Sequence, residues 1–123
     1  MLREDVIGRL IVTLMGGISR IRELLQEQKV EEAETALAAA EQQLGLPPGI
    51  ERFDAASAAL MAGGGDRVVL AAMLLELRAE VAMTRGAEDQ ADRHRARALT
   101  MLQHATPSQL TREAKALEDR LAG

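Results

Sequence analysis

Apolar positions recur along this chain at helical spacing from one end to the other. In the first segment Ile7, Ile11, Leu14, Ile18, Ile21 and Leu25 step by four, three, four, three and four, a heptad-like seam. Val6, Leu10 and Leu24 widen the apolar arc on one flank and Met15 on the other. Arg9, Thr13, Gly16, Arg20 and Glu27 gather on the opposite side. An arc of about half the circumference is wider than a two-helix seam requires. The pattern predicts a helix over about 3–28 that meets more than one neighbour. Gly8, Gly16 and Gly17 each cost about 1 kcal/mol of helix propensity relative to Ala. Either they weaken or bend the helix at Gly16-Gly17, or they let another backbone approach closely.

A second helix is expected over 30–44, with Ala33, Leu37, Ala40 and Leu44 facing inward. Only Gln28-Lys29 separates it from the first, so the two form an antiparallel hairpin. Gly45 and Pro47-Pro48 end it. A short helix over about 50–61 follows, with Phe53, Ala56 and Leu60 expected inward and Gly63-Gly64-Gly65 ending it. Asp66 reads as the N-cap of a fourth helix over 67–85. Val69, Leu70, Met73, Leu74, Leu77 and Val81 make one face of that helix, and Val68, Ala72, Leu75 and Ala79 another. Its charge is confined to the strips Arg67/Arg78/Arg85 and Glu76/Glu80, so it belongs in the middle of the structure. A fifth helix over 87–104 starts after Gly86; its first half is charged and its second half packs through Ala98, Leu99, Met101 and Leu102. Thr106-Pro107 reads as a cap and first turn for a sixth helix over 107–121, with Leu110, Ala114, Leu117 and Leu121 inward. The expected fold is a single all-α domain of five to six helices, built from antiparallel hairpins as a bundle or repeat.

Composition agrees with that class. The chain has 123 residues, 47% hydrophobic and 28% charged, with Phe53 its one aromatic residue. A core of Leu, Ile, Val, Met and Ala favours closely packed helices over sheet. The absence of cysteine removes disulfides, thiol chemistry and Cys-based zinc sites, and fits the cytoplasm. A net charge of −4 and the lack of stacking aromatics argue against nucleic acid as a partner. Arg3, Glu4 and Asp5 mix charges where a signal peptide needs a basic start. The apolar run from Val6 to Ile18 contains Arg9 and is shorter than the ~20 residues of a membrane span. No membrane role is expected.

Small residues repeat between the two hairpins. Ala33 and Ala40 lie seven apart, as do Ala91 and Ala98, 58 residues further on. Ala79 lies seven before Gly86. Ala79, Gly86, Ala91 and Ala98 match the small positions of the tetratricopeptide repeat, and Pro107 lies close to its terminal proline, so the chain resembles that family of helical hairpins. It departs from the pattern at Ala82, Glu88 and Arg95, where large or aromatic residues are common, and at Gln28, where the turn glycine would be. The segment 46–66 separates the two units. The chain also resembles an uncharacterised bacterial family of short helical proteins. The shared features are Asp5, Ile7 and Arg9, then Glu31, Glu32 and Ala33, and the stop Leu44-Gly45-Leu46. Both resemblances imply a repeat-like fold; neither implies an activity.

Candidate chemistry is sparse. Glu76 and Glu80 lie one turn apart, and acidic residues recur at Glu31, Glu32, Glu34, Glu88, Asp89 and Asp92. A magnesium site needs convergent oxygens, and no inward E-x-x-E pair faces another. His94 and His104 lie ten apart, on different faces, without a cysteine or a second histidine at metal-ligand spacing. Gly63-Gly64-Gly65 lacks the Gly-Lys-Ser/Thr ending and preceding strand of a phosphate loop. No catalytic, metal or cofactor residues are assigned. Arg93, Arg95 and Arg97, with Arg78 and Arg85, form a possible patch for an acidic ligand.

The expected function is therefore a non-catalytic protein-interaction module that associates with a second copy. Two hairpins bury a continuous core poorly, and Ile7, Ile11, Leu14, Met15 and Ile18 are the candidate contacts. The alternatives are an all-α, carboxylate- and Mg-dependent nucleotide hydrolase, and a receptor for an acidic peptide or ligand.

Overall fold

The structure, a computed structural model, describes residues 2–46, 52–105 and 107–123. Within them the chain forms α1 (Leu2–Gln26), α2 (Val30–Leu44), α3 (Ala55–Ala62), α4 (Gly65–Thr84), α5 (Glu88–Gln103) and α6 (Thr111–Ala122), with no strand. The fold is all-α, and α1–α2 and α4–α5 are antiparallel hairpins. Among the described residues no helix is long and apolar enough to cross a membrane.

The two hairpin turns share one backbone conformation. Gln28 and Gly86 are both left-handed, at φ 62° and 77°. The next residues, Lys29 and Ala87, both have φ −94°, with ψ 67° and 68°. Lys29 N–H donates to the Leu24 carbonyl, and Ala87 N–H to the Ala82 carbonyl, both at 2.8 Å. These residue pairs are 58 apart, the offset of the alanine pairs. Ala33, Ala40, Ala91 and Ala98 are all buried where the paired helices meet.

The main core draws on all six helices, through residues such as Leu14, Leu37, Ala58, Leu77, Met101 and Leu117. Helix α4 touches each of the other five helices, which explains why its apolar residues surround it. It runs antiparallel to α2, since Arg78 binds Glu41 while Arg85 binds Glu34. It runs parallel to α6, since Asp66 meets Ser108 while Glu76 meets Arg120. Helices α1, α4 and α6 thus run one way, and α2 and α5 the other. Helix α1 passes unbroken through Gly16-Gly17 and packs on α2 and α4.

Several expected details differ. The third helix begins at Ala55, because the Asp54 carboxylate accepts the Ser57 N–H at 2.8 Å and caps it there. That hydrogen bond holds the Asp54 carboxyl below its usual pKa range. Phe53 precedes the helix and is 47% exposed, and Leu60 is 80% exposed. The inward face is Ala58, Ala59 and Ala62, whose small side chains let α3 lie close on its neighbours. Asp66 is not the cap of α4, which starts one residue earlier behind Gly64. Its carboxylate instead accepts the Ser108 hydroxyl at 2.6 Å and the Gln109 N–H at 3.0 Å. That clamp holds the approach to α6 out of the helix, so α6 starts at Thr111 and Pro107 lies outside it. The Pro47-Pro48 stop, the helix start at Ile50 and the Thr106 cap lie outside the described residues.

Candidate functional site

Three regions gather the residues that the sequence singled out. The first is α1. Leu14 and Ile18 are at most 1% exposed and belong to the chain's own core, so they are unavailable to a second copy. Ile11 and Met15 are half-buried against that core, and Ile7 is half-buried. The outward face carries Arg9, Thr13, Gly16, Ser19, Arg20 and Glu23, all exposed, with Val12 at 74% exposure. A Cβ added at Gly8, Gly16 or Gly17 would meet no atom within 4 Å, so no other part of the described chain approaches them.

The second region joins α1, α4 and α6 around Glu76, which is 8% exposed. Arg120 grips its carboxylate with two hydrogen bonds, Nε to Oε2 at 2.8 Å and Nη2 to Oε1 at 2.9 Å. Arg22 stands 3.6 Å away. Burial and the charge of Glu76 push the half-buried Glu80 carboxyl above its usual range, against Arg22, Arg120 and Arg95. Among the described residues no group of three or more His, Asp or Glu side chains is placed to hold a metal ion.

The third region is the space between α2 and α5, which do not pack on each other among the described residues. Here the five arginines divide. Burial, the larger effect, and the charges of Arg78, Arg93 and Arg97 hold the His94 imidazole below its usual pKa against the opposing pull of Glu41. Arg78 binds the Glu41 carboxylate, Nε to Oε2 at 3.0 Å, and this contact raises the guanidinium's own pKa. Arg97 donates to the Phe53 carbonyl at 2.6 Å. Arg85 binds Glu34, also on α2, and Arg95 lies 3.6 Å from Asp92 and acts on Glu80.

Beside Arg97 is a cavity of about 120 Å³. Ala58, Ala71, Leu74 and Met101 form its buried floor, and Glu41, Leu46, Leu75 and Arg97 its half-buried mouth. Spacing along the chain gave no sign of this cavity, because its walls come from four separate helical regions. The outward face of α1 was legible in principle. Set against α4 at the 58-residue offset, Arg9 and Arg20 fall on Arg67 and Arg78. No family model, curated protein sequence or solved structure matches the chain.

Proposed function

We propose that the chain is a non-catalytic helical interaction module of tetratricopeptide-like build, which pairs with a second copy through the outward face of α1. One observation carries this reading: α1 keeps, at Arg9 and Arg20, two of the arginines by which α4 holds α2, and nothing in the described chain covers that face. On α4, Arg67 donates to the Leu44 carbonyl at 2.6 Å, and Arg78 and Arg85 bind Glu41 and Glu34. On α1, Arg9 and Arg20 stand at the places of Arg67 and Arg78, exposed, and Glu27 in the turn that follows replaces Arg85. Gly16 replaces Leu74, so another backbone has room to approach.

The face is also complementary to itself. In an antiparallel pair crossing at Gly16, Arg9 of each copy falls opposite Glu23 of the other, seven residues either side of the crossing. Val12 falls opposite the aliphatic stem of Arg20. Such a contact is isologous and closes on a dimer. The carboxylates favour this reading over a metal hydrolase, since Glu34, Glu41 and Glu76 are each held by an arginine. The absence of cysteine fits a reducing, cytoplasmic setting.

Sedimentation at about 10 µM, a concentration that populates contacts of micromolar affinity, tests the proposal. The expected species is a dimer, which Gly16→Leu converts to a monomer of unchanged helicity. A monomeric parent chain at that concentration contradicts the proposal.

A further inference from the structure

We propose that α6 is a strap that swings open about Ser108–Leu110, with the Glu76 carboxylate passing from Arg120 to Arg22 as it leaves. The two ends of this segment are held differently. At its start the Asp66 carboxylate accepts the Ser108 hydroxyl and the Gln109 N–H, and the Ser108 hydroxyl oxygen accepts the Leu110 N–H at 2.9 Å. Further along, the grip of Arg120 on Glu76 is the polar hold on α4 among the described residues. Helix α6 touches only α4 and α5. Within it Leu117 is the fully buried side chain, and Ala114 and Leu121 are half-buried. Few buried apolar contacts make a unit that opens locally, ahead of the rest of the fold. Once free, a helix of 12 residues is marginal in water, so opening also melts it.

Arg22 decides how readily the strap leaves. Glu76 is buried, and removing its arginine would leave a buried carboxylate unpaired, which is strongly unfavourable. Arg22 reaches the same carboxylate from α1, which does not touch α6. Its Nη2 stands 3.6 Å from Glu76 Oε1, an ion-pair distance beyond hydrogen-bond length. That oxygen is the one that accepts Arg120 Nη2, so the departure of Arg120 leaves it for Arg22 to close on. With α6 docked, Arg120 already satisfies the carboxylate, so Arg22 adds little. With α6 open, Arg22 is the partner that remains, so it stabilises the open state more than the closed one. Arg22 lies off the outward face of α1, so the device does not depend on the dimer proposed above.

Hydrogen exchange on the full chain tests this, read at the backbone N–H groups of residues 115–118 and of the middle of α4. In the parent chain, 115–118 should be at least about tenfold less protected than α4, with little dependence on denaturant, the mark of local opening. Arg22→Met should slow exchange at 115–118 by about tenfold, the scale of one charge-assisted hydrogen bond in the open state, and leave α4 unchanged or faster. A merely structural role for Arg22 would instead speed exchange at both. Arg22→Lys keeps the charge and should stay within about threefold of the parent chain. In a Glu76→Gln background the slowing should vanish, since no charge is left unpaired. Arg22→Gln carries the same expectation if Arg22→Met fails to fold. The proposal is overturned if 115–118 exchange only together with α4. It is equally overturned if the folded Arg22 variant exchanges there as fast as the parent chain or faster, or if the slowing persists with Glu76→Gln.

Discussion

Helices α1 and α4 occupy corresponding places in two hairpins 58 residues apart, yet they live in different surroundings. Each enters an identical turn, and each buries a small or aliphatic residue against its hairpin partner, Ile21 in one and Ala79 in the other. They diverge on the opposite side. Where α4 has Leu70, Leu74 and Leu77, all buried, α1 has Val12, Gly16 and Ser19, all exposed. The difference follows from surroundings: α4 has α2 against this face, whereas no described helix lies against it on α1. At the other end α6 covers the last hairpin, burying Leu110 and Leu117. A helix's hydrophobic pattern thus reports how many neighbours it has: α1 packs on α2 and α4 alone, whereas its sequence counterpart touches all five other helices.

Paired substitutions, one buried and one exposed, sharpen the contrast. Leu77→Ala removes a fully buried side chain and should cost about 2–5 kcal/mol in denaturant unfolding. Ser19→Ala, its counterpart on α1, should change stability by less than about 0.5 kcal/mol; a large loss there would mean the two faces are not as different as described. Arg120→Ala should cost about 1–3 kcal/mol, because it leaves the buried Glu76 carboxylate with only the more distant Arg22. Arg20→Ala, which breaks an exposed pair with Glu23, should cost no more than about 0.5 kcal/mol.

The two turns provide a subtler test. Gly86→Ala should destabilise by about 1 kcal/mol, because φ there is 77°. Gln28→Gly should stabilise by about 0.5–1 kcal/mol, because it relieves the same left-handed conformation in the first hairpin. Equal signs for the two changes would break the equivalence of the turns.

The smallest effects are pH-dependent and have opposite signs on the two sides of α4. His94, faced by Arg78, Arg93, Arg97 and Glu41, has a folded pKa below the ordinary 6.5. The unfolded chain therefore takes up the proton first, so this part of stability is whole above about 6.5 and is lost as pH falls through the folded value. Glu80, among Glu76, Arg22, Arg120 and Arg95, has a folded pKa above the ordinary 4.5. Its part is whole below 4.5 and is lost as pH rises through the folded value. In thermal melts across pH, His94→Gln should flatten the acid-side slope, and Glu80→Gln should stabilise at neutral pH and lose that gain in acid.

Most of this fold was legible because periodicity reports buried faces. The hairpins, the central place of α4 and the alanine contacts all follow from spacing. In "AASAALMA" nearly every residue is apolar, so the pattern could not choose a face; close packing selected Ala58, Ala59 and Ala62 and left Leu60 outside. Asp66 looks like a local cap, but its partners lie more than forty residues away, at Ser108 and Gln109. The widened arc of α1 was visible, but the sequence did not show that Leu14 and Ile18 would be covered by the chain itself. The division of the five arginines was hidden for a related reason, since Glu41 and Glu34, which bind Arg78 and Arg85, lie on another helix and Arg97 meets the distant Phe53 carbonyl.

The outward face of α1 is tested most directly by a charge swap read by sedimentation. Arg9→Glu and Glu23→Arg each place like charges opposite one another in the self-paired dimer, so each variant alone should be a monomer. Mixed together, one chain carries two acidic residues and the other two arginines, and the pair should sediment as a dimer. If both variants dimerise like the parent chain, or if the mixture stays monomeric, α1 does not pair as proposed.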